Sequence, residues 1–574
     1  MRVAITAGLV MCAACAGGAT RFPLREPLRR DTDLDPVSVA CRPDPSPKEP
    51  GRVACYPREY VSPFVWDRID TTVFGRLSRI LSIDVTGEAE NANSIDEVAD
   101  SSWFENRPTS SPAEKTAGAC TADDALPSDP ADGSWLIDHG KDNGSSIGFR
   151  VQVPGKGVYL LKADDPESPE LASAASVIGA AVYHAAGFLT TCEQIIYVRR
   201  EQFSLAPGLV VMANNGTPHP FDDAALTSAL ASLPRRGTLR RMQASKWLPG
   251  VALGPFRYET LRDDDPNDII LHEDRRELRG SRLIAAWLGH WDAREQNSMD
   301  VWIARDPAHK RSSPGYVRHY QIDTSDVFGQ PMDPPTLAKR LGHSYQIDLE
   351  DIAVDFVTLG LISRPWDRAA LVLGHELFGF FTANDFDPEA WKPAYPNPAF
   401  LRMTERDGAW MARLIARFSR EDIRSLVAAG QFTDPRNSEY LEQLLVARQQ
   451  RILARYLARL SPVADVHGEA DGRVCAVDLA RLREVYATDR FRYRIVETAR
   501  GQRSVLSAEL RPDGVVCFLP RPVDVGAVRD DDPARSVVFD VDNGTGAGPL
   551  EIHAYDLGHD RGLRVVGLVR RERD

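Results

Sequence analysis

The sequence predicts an α+β fold with a two-lobed core, small and β-rich first, large and helical second, followed by a C-terminal antiparallel β domain. Three observations predict it. From residue 133 to 164, short alternating runs are broken by turn residues and end in a helix. From 256 to 465, apolar residues recur at helical spacing around a single hairpin. After about 466 the apolar period returns to two, as a half-buried sheet requires. At 574 residues the chain exceeds one ordinary core, so several units are expected.

The chain opens on a targeting segment. Met1-Arg2 is a minimal positive region, and Val3 to Cys15 is apolar but too short to span a bilayer. It ends in Cys12-Ala13-Ala14-Cys15-Ala16-Gly17-Gly18, which resembles a bacterial lipoprotein signal with Cys15 as the lipidated residue. A plain secretory signal cut after an Ala-x-Ala-like site is the other reading. Either one (residues 1–15) exports the protein, to a cell envelope where a lipid anchor would hold it on the membrane. Residues 16–60 are rich in Pro, Arg and Asp, including Asp44-Pro45-Ser46-Pro47, and read as a linker.

Residues 61–130 read as a packing arm, carrying the amphipathic run Val73 to Leu81 and then Ser94 to Phe104. The loop-like composition of 108 to 131 marks a boundary. Apart from Cys12 and Cys15, six cysteines remain. Six allow 15 connectivities, and proximity favours Cys41 with Cys55 and Cys475 with Cys517.

The small lobe is expected over 131–255. Its strands are Ser134 to Asp138, Gly148 to Val153 and Val158 to Asp164, and a helix runs from about Pro169 to Ala186, closed by Gly187. That helix is apolar nearly all round and should be buried. Only nine of the 69 cationic residues are Lys, so Lys162 inside an apolar strand stands out.

The helical lobe is expected over 256–465. The helix Arg275 to Leu288 runs into His290-Trp291-Asp292-Ala293-Arg294-Glu295-Gln296-Asn297. A strand, Met299 to Ala304, and its partner, Tyr316 to Ile322, then lead to Asp323. An Asp, an Asn five residues on, and an Asp after a hairpin is how a phosphotransferase arranges a base and two hard oxygen ligands, which suit Mg²⁺.

In order and spacing, residues 131 to 460 resemble the protein-kinase-like superfamily, in the atypical branch with HipA-like and CotH-like kinases and the phosphoinositide kinases. The Asp96-Glu97-Val98-Ala99-Asp100-Ser101-Ser102-Trp103-Phe104 arm is also similar to one found in exported bacterial proteins. The resemblance implies that Lys162 holds the phosphates of ATP or another nucleotide. It implies that Gly144 and Ser145, in the turn after the first strand, cover those phosphates, and that Glu170 is the acid at the start of the following helix. Asp292 would orient or deprotonate an acceptor hydroxyl, with His290 bracing the loop, and Asn297 with Asp323 would hold Mg²⁺. The usual Asp-Phe-Gly is replaced by Asp323-Thr324-Ser325, and positions deeper in the helix are Ala174, Ala175 and Ser176 rather than Glu.

Other motifs carry less. His375-Glu376-Leu377-Phe378-Gly379 lacks the second His of a zinc helix and reads as a packed helix. Asp540-Val541-Asp542-Asn543-Gly544 lacks the later ligands of a Ca²⁺ loop and reads as a hairpin turn. Residues 396 to 460 are strongly helical, with a helix start at Ser419 and Asp422 and a long helix from Tyr440 to Leu460. Residues 466–574 read as a small antiparallel β domain of sandwich type, with Cys475 and Cys517 as its staple.

A net charge of −13 excludes broad nucleic-acid binding, which needs a basic face. The expected function is an exported phosphotransferase dependent on Mg²⁺ and nucleotide, acting on an unidentified acceptor. The alternative is a catalytically silent envelope lipoprotein that uses the same fold for binding or scaffolding.

Overall fold

A computed structural model describes residues 22–43, 53–63, 66, 69–74, 87–107, 110–140, 148–212, 218–329, 335–522, 526 and 528–573. The targeting segment, Asp44 to Pro50, most of the run Val73 to Leu81, and both Gly144 and Ser145 lie outside them. Helices take 29% and strands 25% of the chain, in separate regions, which makes the fold α+β.

The first sheet holds β1 (Trp135–Gly140), β2 (Gly148–Val153) and β3 (Gly157–Ala163), joined as an antiparallel meander. Helix α1 (Leu171–Ala186) follows and is buried on almost every face, as its Ala- and Val-rich sequence predicts. It ends at Gly187, where φ is +118° and a Cβ would fall 2.3 Å from the Phe104 ring, so no other residue fits there. The short β4 (Leu189–Thr190) leads to β5 (Glu193–Val198) and β6 (Phe203–Leu205). Strand β7 (Leu239–Lys246) then inserts between β3 and β5.

The chain returns through β8 (Val251–Ala252) to helix α2 (Arg276–Leu288), which Gly289 closes at φ +69°. Strands β9 (Ser298–Ala304) and β10 (Gly315–Gln321) form the expected hairpin, flanked by β8 on one edge and by β4, running parallel, on the other. Helices α3 (Leu349–Thr358), α4 (Glu405–Ile415), α5 (Arg420–Ala429) and α6 (Pro435–Tyr456) complete the helical unit. The capping box of Ser419 and Asp422 is present. Arg448 of α6 lies 3.6 Å from the centroid of Phe386 and donates to Ala286 O (2.6 Å) and Trp287 O (3.0 Å). It thereby adds donors to carbonyls of the last turn of α2, where the intrahelical ladder ends.

Two sheets make the C-terminal unit. One contains β11 (Val463–Gly468), β12 (Val474–Asp478), β15 (Glu509–Leu510) and β16 (Val515–Phe518); the other contains β13 (Arg494–Ala499), β14 (Gln502–Leu506), β17 (Ser536–Asp542), β18 (Leu550–Asp556) and β19 (Leu563–Arg570). Their apolar faces share one core, in which Phe518 and Phe539 lie 5.0 Å apart, so the unit is a sandwich. Cys475 and Cys517 stand opposite each other on β12 and β16 and are bonded. Cys41–Cys55 is bonded as proximity suggested, and Cys120–Cys192 is the third disulfide.

Four expectations need correction. The described part of 16–60 is not a free linker. Asp33 is buried, accepting from Ser102 N (3.1 Å) and Oγ (2.7 Å), and Val37 pairs with Gly315 at the hairpin. The stretch 110–131 is likewise tied down, by helix Pro112–Ala117, by Lys115 against Asp422 (2.7 Å) and by the Cys120 disulfide. The His375 motif forms a single 3₁₀ turn, Glu376–Phe378, in which only Phe378 is buried, so too few apolar groups point one way to extend it. Asn543-Gly544 is not a two-residue turn. Asn543 Nδ2 donates to Asp478 Oδ2 (2.9 Å) across the sandwich, and that contact opens the connection to residues 543–549.

The arm is the joint of the molecule. Asp96 receives Arg276 (2.7 Å) from α2, Arg413 (3.2 Å) from α4 and Arg570 (2.5 Å) from β19. Trp103 stacks on His319 of β10 at 3.5 Å, under the Arg275 guanidinium at 4.8 Å.

Candidate functional site

Strand β3 carries Lys162 beside Gln243 of β7 and Gly148 of β2, and the side chain is buried in the first sheet's face toward the hairpin. Its Nζ lies 2.9 Å from Asp323 Oδ2. Asp323 stands two residues past the end of β10 and sits at φ +50°, a left-handed conformation that a non-glycine residue adopts at a cost. Ser325 Oγ donates to its other oxygen at 2.7 Å. The next residue, Thr324, donates through Oγ1 to Ser176 O of α1 at 3.1 Å. That approach is close because position 179 is glycine: a Cβ there would lie 2.8 Å from the Thr324 side chain.

The loop after α2 brings its residues to the same place. Asn297 Nδ2 donates to Asp292 O (2.8 Å) and Asp292 Oδ2 (3.1 Å), and Asn297 O accepts from Ile322 N (3.0 Å). One backbone bond therefore holds Asn297 and Asp323 in register. Arg294 Nε lies 2.8 Å from Asp292 Oδ1. His290 is buried and its Nδ1 lies 2.9 Å from Tyr183 OH of α1, which fits the bracing role.

Burial pushes the Asp292 carboxyl up to about 6, and the nearby Asp326 carboxylate adds to the effect. Burial pushes Asp326 itself up to about 7. Burial also lowers His290 to about 4, so this imidazole is neutral near pH 7.

Asp326 is a site residue that the sequence reading missed. Its Oδ2 accepts from Asp292 N at 2.9 Å, and its Oδ1 lies 3.4 Å from His290 Nε2. It stands three residues after Asp323 and carries no motif of its own; only its burial marks it out.

The acid that faces Lys162 from the sheet was missed as well. Glu193 of β5 lines the same cleft and accepts from Thr191 Oγ1 (2.5 Å), Ser245 Oγ (2.7 Å) and Gln243 Nε2 (2.7 Å). Burial raises its carboxyl, while Thr191, Ser245, Gln243 and the Lys162 charge oppose that rise.

Glu170 does not take the expected place. It caps α1 at φ +72°, and its carboxylate is turned to Thr433, accepting from the backbone N at 2.9 Å and from the hydroxyl. It is not among the residues lining the cleft.

Between the first sheet and the hairpin lies a cleft of about 400 Å³. Lys162, Arg150, Lys246, Glu193 and Asp323 supply its charged groups, three cationic against two acidic, while Leu160, Met299 and Ile322 are part of its apolar wall. Such a cleft takes a flat apolar group with an anionic end. No protein-family model, curated protein or solved structure matches this chain.

Proposed function

We propose that the protein is a kinase-like phosphotransferase dependent on Mg²⁺ and nucleotide, in which the first sheet and the helical unit are the two lobes. The observation that carries the reading is the meeting of Lys162 and Asp323 at 2.9 Å across a cleft, with Asn297 tied to the same hairpin. These three residues come from separate elements, and the resemblance gives them linked tasks.

In this reading the base of a nucleotide lies against Leu160, Met299 and Ile322, and Lys162 holds phosphate oxygens as a point charge. Asp323 and Asn297 are hard oxygen donors of the type Mg²⁺ takes, and they would hold it. Bound there, the ion would neutralise phosphate charge.

Asp292 is the group that would orient an acceptor hydroxyl and accept its proton. With its carboxyl raised to about 6, it is ionised at pH 7 yet more basic than an ordinary carboxylate, which suits a general base. Asn297 fixes the rotamer of Asp292, while His290 and Asp326 fix the loop behind it. Glu193 takes the part that the resemblance would give to a helix Glu, balancing Lys162 from β5.

The test is thermal unfolding of the protein with ATP or GTP and Mg²⁺ or Mn²⁺. A ligand bound to the native state raises its apparent stability with concentration. A metal-dependent rise that Asp323→Asn abolishes supports the proposal, and no rise at millimolar nucleotide refutes it.

A further inference from the structure

Residues 347–373 carry the largest run of uncovered apolar side chains among the described residues. Phe356, Val357, Leu359, Leu361 and Leu373 are each 80 to 89% exposed. Val354, itself exposed, and Phe356 are two positions apart on α3 and so point about 200° apart around the helix, with Val357 exposed between them. The apolar surface therefore wraps the end of the helix instead of forming one stripe.

The acidic groups of α3 and its N-cap are held in ion pairs. Arg364 reaches Asp351 (3.3 Å) and Asp355 (3.0 Å), and Lys392 reaches Asp348 (2.8 Å) and Glu350 (3.5 Å). Every acidic residue from Asp348 to Asp355 thus has a cationic partner.

We propose that this segment, led by α3, docks the protein onto a lipid bilayer by inserting its apolar end among the acyl chains. Two observations favour lipid over a second copy of the chain. A flat protein face covers one side of a helix, whereas a bilayer surrounds whatever protrudes into it, and here adjoining sides are bare. The N-terminal run Val3 to Cys15, moreover, reads as an export signal, and its lipoprotein reading, with Cys15 lipidated, brings the body to a membrane. Four carboxylates stand against two cations in these pairs, so the segment presents no basic patch, and the attraction is to neutral lipid through apolar contact and is insensitive to salt. This inference is independent of the nucleotide reading.

The test uses the full chain with a polarity-sensitive probe on Leu359→Cys, and a control probe on Val505→Cys, which is also exposed but lies in the C-terminal unit. Phosphatidylcholine vesicles should blue-shift the probe at 359 equally at low and high salt, and nitroxide-bearing lipid should quench it, with position 505 unaffected. Adding Phe356→Asp and Leu361→Asp should raise the lipid needed for half the shift by at least about tenfold, since binding scales with buried apolar area. These side chains are exposed, so an unchanged circular dichroism spectrum will separate lost binding from lost folding. A shift that needs no vesicles and grows with protein concentration would assign the surface to self-association and overturn the proposal. So would the absence of any shift at 359, or a shift that survives both aspartates.

Discussion

Replacing Asp326 by Asn should stabilise the protein at pH 8 and leave it unchanged near pH 4. Asp326 is buried, and its carboxyl is pushed from the ordinary 3.8 up to about 7 by burial, with the Asp323 charge adding to it. A carboxyl raised in the folded state destabilises that state once it must ionise. The penalty is absent below the unfolded value of 3.8, grows as pH rises through the folded value, and is constant above it. A separation of about three pH units corresponds to about 4 kcal/mol, which is the ceiling for the effect. Asn keeps an oxygen to accept from Asp292 N–H, now at 2.9 Å, so the substitution removes the charge and little else. The expected gain at pH 8 is about 2–4 kcal/mol. Urea unfolding at pH 4, 6 and 8, followed by the fluorescence of buried Trp287 and Trp410, measures it through the shift of the midpoint. A difference between the two proteins that is the same at pH 4 and pH 8 would refute the reasoning. The Asn variant should also bring the Asp292 carboxyl down from about 6, because the Asp326 charge is the second cause of its rise.

Three other outcomes are expected. Asp96→Ala leaves Arg276, Arg413 and Arg570 buried without their shared carboxylate and should cost about 3–5 kcal/mol in thermal unfolding. Burial opposes the ionisation of Asp96, but the three guanidinium groups outweigh it and hold the carboxyl well below its usual range, so its contribution is complete above pH 3.8 and is lost as pH falls further. Gly179→Ala places a methyl 2.8 Å from the Thr324 side chain and should cost about 1–3 kcal/mol by overpacking, while weakening nucleotide binding through displacement of Asp323. Asp292→Asn should lower phosphoryl transfer by about 10²–10⁴-fold with nucleotide affinity retained, measured as label moved from nucleotide to acceptor once an acceptor is found.

Local chemistry made much of this molecule legible. The strands of the first sheet, the β9–β10 hairpin and the C-terminal strands announce themselves by alternation, and α1 and α2 stop at Gly187 and Gly289, where the sequence places a C-terminal cap. Lys162 is legible as a rare Lys inside an apolar strand, and Asp323 as the charge that ends one. Glu170 misled because nearness in sequence was taken for nearness in space; its left-handed φ turns it to Thr433. Glu193 was hidden because it approaches Lys162 only through β7, a pairing across about 80 residues that no local pattern encodes. Asp326 was hidden because an acid in a turn ordinarily reads as solvated, and its burial comes from the packing of α1 against the loop.

The most direct test of the central claim is calorimetric titration of the protein with ATP in the presence and absence of Mg²⁺, repeated for Lys162→Met and Glu170→Ala. The expected result is Mg²⁺-dependent binding that Lys162→Met abolishes and Glu170→Ala leaves intact. Binding untouched by Lys162→Met, or no binding by the unaltered protein with any nucleotide, would contradict it.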